Sequence, residues 1–168
     1  GGAAIASDVM EYTYVPSLGV KLTALQWDEA LETAYQGNAW FTRESCMYAL
    51  GYWGEMLQER LLESWLERYP TPEGNGLDVA LVLAGNIPLV GLHDVLSILL
   101  TGNRAIVKCA SNDQVLLPFL IRQLESFEPR LPGRISFTDG KLGAFDAVIA
   151  TGSDNTSRYF EYYFSKKP

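Results

Sequence analysis

Positive charge is scarce in this chain: Lys and Arg total 13 against 20 Asp and Glu, a net charge of -7. The few bases are scattered, which argues against a nucleic-acid partner, since phosphate-backbone binding needs clustered cations. Cysteine is scarcer still. Cys46 and Cys109 sit in apolar surroundings with no CxxC or Cys/His spacing, so neither a disulfide framework nor a metal site is expected, and a reducing cytoplasm fits best. His93 is the only histidine, lies beside Leu92 in a helical pattern, and reads as structural and not catalytic. No apolar run approaches the length of a membrane span. Residues 1–6 are small and apolar but lack the basic start and long apolar centre of a signal peptide, and read as a frayed terminus. A GxGxxG turn is missing too, so a nucleotide site here needs a different grip from the usual dinucleotide fingerprint.

What the chain has is apolar residues, 48% of its positions, enough for one good core and suited to one domain with a small appendage. Val79-Ala80-Leu81-Val82-Leu83 is a continuous apolar run, the pattern of a strand covered on both faces of a parallel sheet. Gly85 and Asn86 break it. Pro88 suits a first helical position, and Leu89, Leu92, Leu96, Leu99 and Leu100 follow at helical spacing. Ala105-Ile106-Val107 repeats the buried-strand pattern and ends at Lys108. Ser111-Asn112-Asp113-Gln114 then has the spacing of a capping box, ahead of a helix over Leu116 to Phe127. Pro118 is awkward there: either the helix begins nearer Leu117 or it kinks in its first turns. Arg134 to Thr138 gives a third strand, Phe145 to Ala150 a fourth with the same two-sided burial, and Ser157 to Lys166 a last helix.

Upstream, Tyr12 to Gln26 carries a loose alternation, and Trp27 to Tyr35 suits a short helix. Thr42 is an N-cap candidate with Glu44 in the first turn behind it. From there Cys46, Leu50, Trp53, Leu57, Leu61, Trp65 and Tyr69 recur at threes and fours, one amphipathic stripe that reads as packing or interface up to Pro70. The Pro/Gly-rich stretch that follows separates residues 1–70, an N-terminal segment and helical appendage, from residues 77–168, an α/β nucleotide-binding domain.

Parallel strands present their carboxyl ends on one edge, where open α/β sheets bind ligands. Three such ends converge: Ala84-Gly85-Asn86, Lys108-Cys109-Ala110-Ser111 and Thr151-Gly152-Ser153. The first offers a carboxamide and close backbone, the second a cation, the third a glycine-served helix N-terminus suited to an anion. Each also has a plainer reading. Asn86 could simply cap the helix at Pro88, Ser111 and Ser153 could be caps, and Lys108 a solvated strand-end lysine.

Read together, Asn86-Ile87-Pro88, Gly102-Asn103 before a strand ending in Lys108, and Thr151-Gly152-Ser153 at a strand-to-helix turn resemble the nucleotide-binding half of the aldehyde dehydrogenase superfamily. The fuller wording Ala84-Gly85-Asn86-Ile87-Pro88-Leu89-Val90-Gly91 and Ala150-Thr151-Gly152-Ser153-Asp154-Asn155-Thr156 is most similar to the LuxC-like acyl-CoA reductases, over roughly Trp40 to Pro168. The resemblance implies an α/β fold with a Rossmann-like parallel sheet and flanking helices. It also implies reduction of a fatty acyl thioester to aldehyde through a cysteine acyl-enzyme. In that scheme Asn86 is catalytic, donating to the oxyanion. Ala84 and Gly85 line the cofactor, Lys108 meets the adenosine ribose or its phosphate, and Gly152 and Ser153 meet the pyrophosphate.

Two departures bear on the cofactor. Ser111 stands where many NAD-using members carry an acid, which favours NADP(H) with NAD(H) as the second choice, and Ser157 replaces a glycine often found five residues after Gly152. The resemblance implies an acyl-CoA or acyl-thioester substrate, with homo-oligomer formation left open. Family members carry their nucleophilic cysteine in a catalytic domain beyond the point where Ser165-Lys166-Lys167-Pro168 closes this sequence. Neither Cys46 nor Cys109 matches it, so 168 residues read as a truncated form expected to lack turnover alone. The alternatives are another aldehyde or semialdehyde dehydrogenase relative, or a non-catalytic nucleotide-binding or interaction module whose helical stripe docks a partner.

Overall fold

Apolar side chains on both faces of a short strand demand covering layers on both sides, and β1 (Asp78–Val82) has them: Val79, Ala80 and Leu81 are all buried. The computed structural model describes residues 24–69, 76–152 and 154–165. Three helices lead in: α1 (Ala24–Gly37), α2 (Arg43–Met56) and α3 (Glu59–Leu66). Strand and helix then alternate through β1, α4 (Leu92–Leu100), β2 (Arg104–Lys108), α5 (Leu116–Phe127) and β3 (Ile135–Phe137); the alternation breaks there, because β4 (Ala147–Ala150) follows β3 with no helix between them, and α6 (Asp154–Phe164) comes last. The four strands form one parallel sheet in the order β3-β2-β1-β4, an α/β Rossmann-like arrangement with flanking helices.

The core is continuous. Leu31, Phe41, Cys46 and Leu62 from the helical segment pack in one buried cluster with Leu81, Val95, Val107 and Leu117 of the sheet and its helices. Trp27 of α1 meets Phe119 of α5 edge-on at 4.8 Å. The helical segment is thereby fixed against the α/β layers.

Several local expectations are corrected. Residues 12–23 and 70–75 lie outside the described residues, while Ala24, Leu25 and Gln26 open α1, which starts earlier than Trp27 and ends later than Tyr35. Thr42 does cap α2, its hydroxyl accepting from the Ser45 amide at 3.2 Å, with Glu44 in the first turn. The stripe from Cys46 to Tyr69, however, is two helices. Gln58 adopts an extended conformation (ψ 138°) and breaks them, with Gly51 and Gly54 weakening the turns before it. The bend keeps Leu57 and Leu62 buried while Trp53 and Trp65 both reach His93, at 6.4 and 6.2 Å between ring centroids.

Pro88 does not start a helix. Leu89 takes a left-handed conformation (φ 59°), reversing the chain so that its side chain is buried, and α4 begins only at Leu92 after Gly91. A methyl group at Gly91 would run into the Leu83 side chain, so a larger residue there would require the buried Leu83 to shift. β4 is not covered on both sides either. It pairs with β1 alone among the described strands and leaves Ile149 exposed. The last helix begins at Asp154 and not Ser157. No described helix is long and apolar enough to cross a membrane.

Candidate functional site

The register aligns Val82 with Lys108 on one side and Ala150 on the other, so the carboxyl ends of β2, β1 and β4 stand level along one rim. Leu83 continues the ladder, its amide donating to the Lys108 carbonyl at 3.0 Å. Thr151 ties the opposite side together. Its amide and hydroxyl both donate to the Val82 carbonyl (2.9 and 3.2 Å), and its Oγ1 accepts from the Ala84 amide at 3.1 Å. Between the β1 and β4 ends lies a cleft of about 610 Å³, lined by Val82, Leu83, Ala84, Asn86, Thr151, Gly152 and Phe160.

The turn after β1 is held from below. The Gly85 carbonyl accepts from Asn38 Nδ2 at 2.8 Å and from Asn112 Nδ2 at 3.2 Å. A methyl group at Gly85 would strike Asn112 Oδ1 and come within 2.7 Å of the Ala110 Cβ, so the backbone sits where no other residue fits. Asn86 follows, exposed, on the wall of the cleft. Across the same turn Ile87, Pro88, Leu89 and Val90 line a second space, a groove of about 730 Å³. Its other wall is α2, through Tyr48, Ala49, Tyr52 and Trp53, with Thr42, Glu44 and Ser45 giving it a polar end. One short turn thus separates the cleft at the strand ends from a groove with a largely apolar and aromatic wall.

Of the residues singled out from sequence, Ala84, Asn86 and Gly152 share the cleft, and Gly85 underlies it. Lys108 stands level with them on β2, but its ammonium turns toward the β3 side and donates to the Gly140 carbonyl at 2.8 Å. A smaller hollow of about 290 Å³ lies on that side, lined by Val107, Cys109, Gln114, Pro118, Phe137, Thr138 and Asp139. Ser153 is outside the described residues.

Ser111 is exposed in the turn after β2 and does not cap α5. The capping box does not form because α5 starts too far beyond Ser111, at Leu116, and the two residues between Ser111 and Gln114 are held in the turn: Asn112 reaches Gly85, and Asp113 is buried with its amide donating to the Ala110 carbonyl. The helix starts at Leu116 without a side-chain cap. Pro118 thereby falls in the first turn, where an amide hydrogen has no intrahelical partner to lose.

Three titratable groups lie behind the turn. Burial pushes the Cys109 thiol up to about 11, helped by the charge on Asp113, and burial raises Cys46 as well. Both stay protonated at neutral pH, and neither is a ready thiolate nucleophile. Desolvation raises the Asp113 carboxyl to about 6, and its buried Oδ1 has no hydrogen-bond partner among the described residues. Asn38, Asn112, Asp113 and the tying role of Thr151 were not legible as site-building from the sequence. A lone Asn after a helix carries no mark of a bond 47 residues away.

Small residues, a hydroxyl and a carboxamide around a space of this size fit a dinucleotide in type, within the range of small-molecule sites. Comparison with curated proteins and with solved structures finds no match. A family model described as Acyl-CoA reductase (LuxC) matches residues 26–162.

Proposed function

The chain belongs to the acyl-CoA reductase (LuxC) family, a family of oxidoreductases, and from that premise we propose that it forms the NADP(H)-binding part of a reductase that converts a fatty acyl thioester to an aldehyde. The observation that carries the reading is the single turn with a cleft on one side and an apolar groove on the other, with Asn86 on the cleft wall beside Ile87 on the groove wall. A hydride donor and an acyl group need such adjacent compartments with a hydrogen-bond donor near their boundary.

When bound, the reduced nicotinamide supplies hydride to the acyl carbon. Ala84, Thr151 and Gly152 would hold the dinucleotide at the strand ends, while Lys108 and Ser111 would meet the adenosine ribose, with the hollow by Phe137 and Gln114 beside them. The Asn86 carboxamide would donate to the acyl oxygen as negative charge gathers there. The acyl group would be carried by a cysteine thiolate that is neither Cys46 nor Cys109, since both of these remain protonated at neutral pH.

The groove makes a graded test in the complete protein. With butanoyl-, octanoyl- and hexadecanoyl-CoA and NADPH, KM should fall as the chain lengthens, because each buried methylene is worth about 0.8 kcal/mol until the groove is full. Equal KM values for all three would remove the groove from the reading. Cofactor choice is tested by titration. Ser111 adds no charge to repel a 2'-phosphate and the Lys108 ammonium proposed for the same ribose would attract one, so NADPH should bind about tenfold more tightly than NADH, a difference of about 1.4 kcal/mol, and Ser111→Asp should reverse the order. Equal affinities in the unmodified protein would sink the Ser111 argument.

A further inference from the structure

Asn38 lies at the end of α1, far from the strand ends in sequence, yet is only 6% exposed. Its backbone is spoken for: the amide donates to the Ala34 carbonyl and its own carbonyl accepts from the Phe41 amide. The side chain then bridges two segments, Oδ1 accepting from the Trp40 amide at 3.1 Å and Nδ2 donating to the Gly85 carbonyl at 2.8 Å. Only one orientation of the carboxamide satisfies both bonds, since the flipped one would set oxygen against oxygen and nitrogen against an amide hydrogen. Asn112 Nδ2 takes the remaining lone pair of the same carbonyl.

A trans peptide is planar, with its C=O and N–H pointing opposite ways. Fixing the Gly85 carbonyl toward the two carboxamides therefore fixes the plane that carries Asn86, and points the Asn86 amide hydrogen away from them. These bonds end on Gly85, and no hydrogen bond among the described residues reaches Asn86 itself. From this geometry we infer that Asn38, seconded by Asn112, is a positioning residue that sets the direction of Asn86 for the reduction; the inference rests on the role of Asn86 proposed above.

A double-mutant cycle on the complete protein, with octanoyl-CoA and NADPH, tests it. Asn38→Ala should lower kcat about tenfold with little change in KM, and should lower it less than about twofold in a protein already carrying Asn86→Ala, because the group it aims is gone. Asn38→Asp, which keeps the shape and the Trp40 bond but replaces the donor with an oxygen, should be as slow as the alanine variant. Losses that multiply in the double variant would overturn the inference. Should Asn38→Ala fail to fold, the same cycle run with Asn112→Ala decides the matter, with about threefold expected for the longer bond and multiplying losses again counting against it. If Asn86→Ala alone leaves turnover intact, the functional reading fails. The positioning claim is then judged by the Asn86 backbone amide resonance, which must move in Asn38→Ala and overturns the claim if it stays in place.

Discussion

Asn86→Ala is expected to cut turnover of the complete reductase by about a hundredfold or more, leave KM within a small factor, and change thermal stability hardly at all. The first figure follows from the role proposed for the carboxamide. A preorganised donor aimed at a developing oxyanion is worth about 3 kcal/mol of barrier, and an interaction made chiefly in the transition state appears in kcat and not KM. The second expectation comes from the structure. From sequence, Asn86 had a competing explanation as the cap of a helix at Pro88. With α4 starting at Leu92 after Gly91, there is no helix start for Asn86 to cap. Its side chain is exposed and makes no hydrogen bond among the described residues, so its removal should cost within about 0.5 kcal/mol of stability. A residue that holds nothing together but stands on the cleft wall is easiest to explain by what it meets there. Measured kcat equal to the unmodified protein would remove Asn86 from the mechanism, and a large fall in melting temperature would return it to a structural role.

The layers of the fold were legible because burial on both faces writes itself as uninterrupted apolar residues. Val79 to Leu83 and Ala105 to Val107 could be read directly, and their parallel pairing followed from the helices between them. β4 misled for the complementary reason: the residues Ala147 to Ala150 are apolar enough for a central strand, and nothing local tells an edge from a centre. The errors at helix starts share another cause. Pro88 and the Ser111–Gln114 quartet carry good local signals for a helix N-terminus, but tertiary contacts outbid them, with Leu89 turned inward to the core and Asn112 and Asp113 drawn under the Gly85 turn. The same blindness hid Asn38. Sequence shows which residues are suited to a task close by and is silent on bonds that span dozens of residues, and the support beneath Asn86 is made of such bonds.

That support contains a carboxyl raised well above its ordinary range by burial, and its effect on stability has a definite sign. Asp113 titrates near 6 in the folded state against an ordinary value of 3.8, raised by burial. Between those two values the folded protein holds a proton that the unfolded chain has released, so stability should fall as pH rises from about 4 to about 6 and stay lowered above that. Two pKa units correspond to about 3 kcal/mol, of which about 2 is a reasonable expectation for a carboxyl that retains some contact with water. The groups facing it do not offset the penalty: Cys46 from α2 and Cys109 from the end of β2 are both thiols that remain neutral. Asp78 and Glu128 shift the other way, lowered by Arg104 and Arg130, and give stability that is lost as pH falls through the acid range. Their contribution is common to both proteins when the unmodified chain is compared with Asp113→Asn, which keeps the shape and removes the charge. The variant should be about 2 kcal/mol more stable at pH 7, melting some 5 °C higher, and the two proteins should converge near pH 4. Chemical denaturation at a series of pH values measures this directly; parallel curves for the two proteins would mean that Asp113 ionises without cost in the folded state, and that water or a cation reaches the space behind the Gly85 turn.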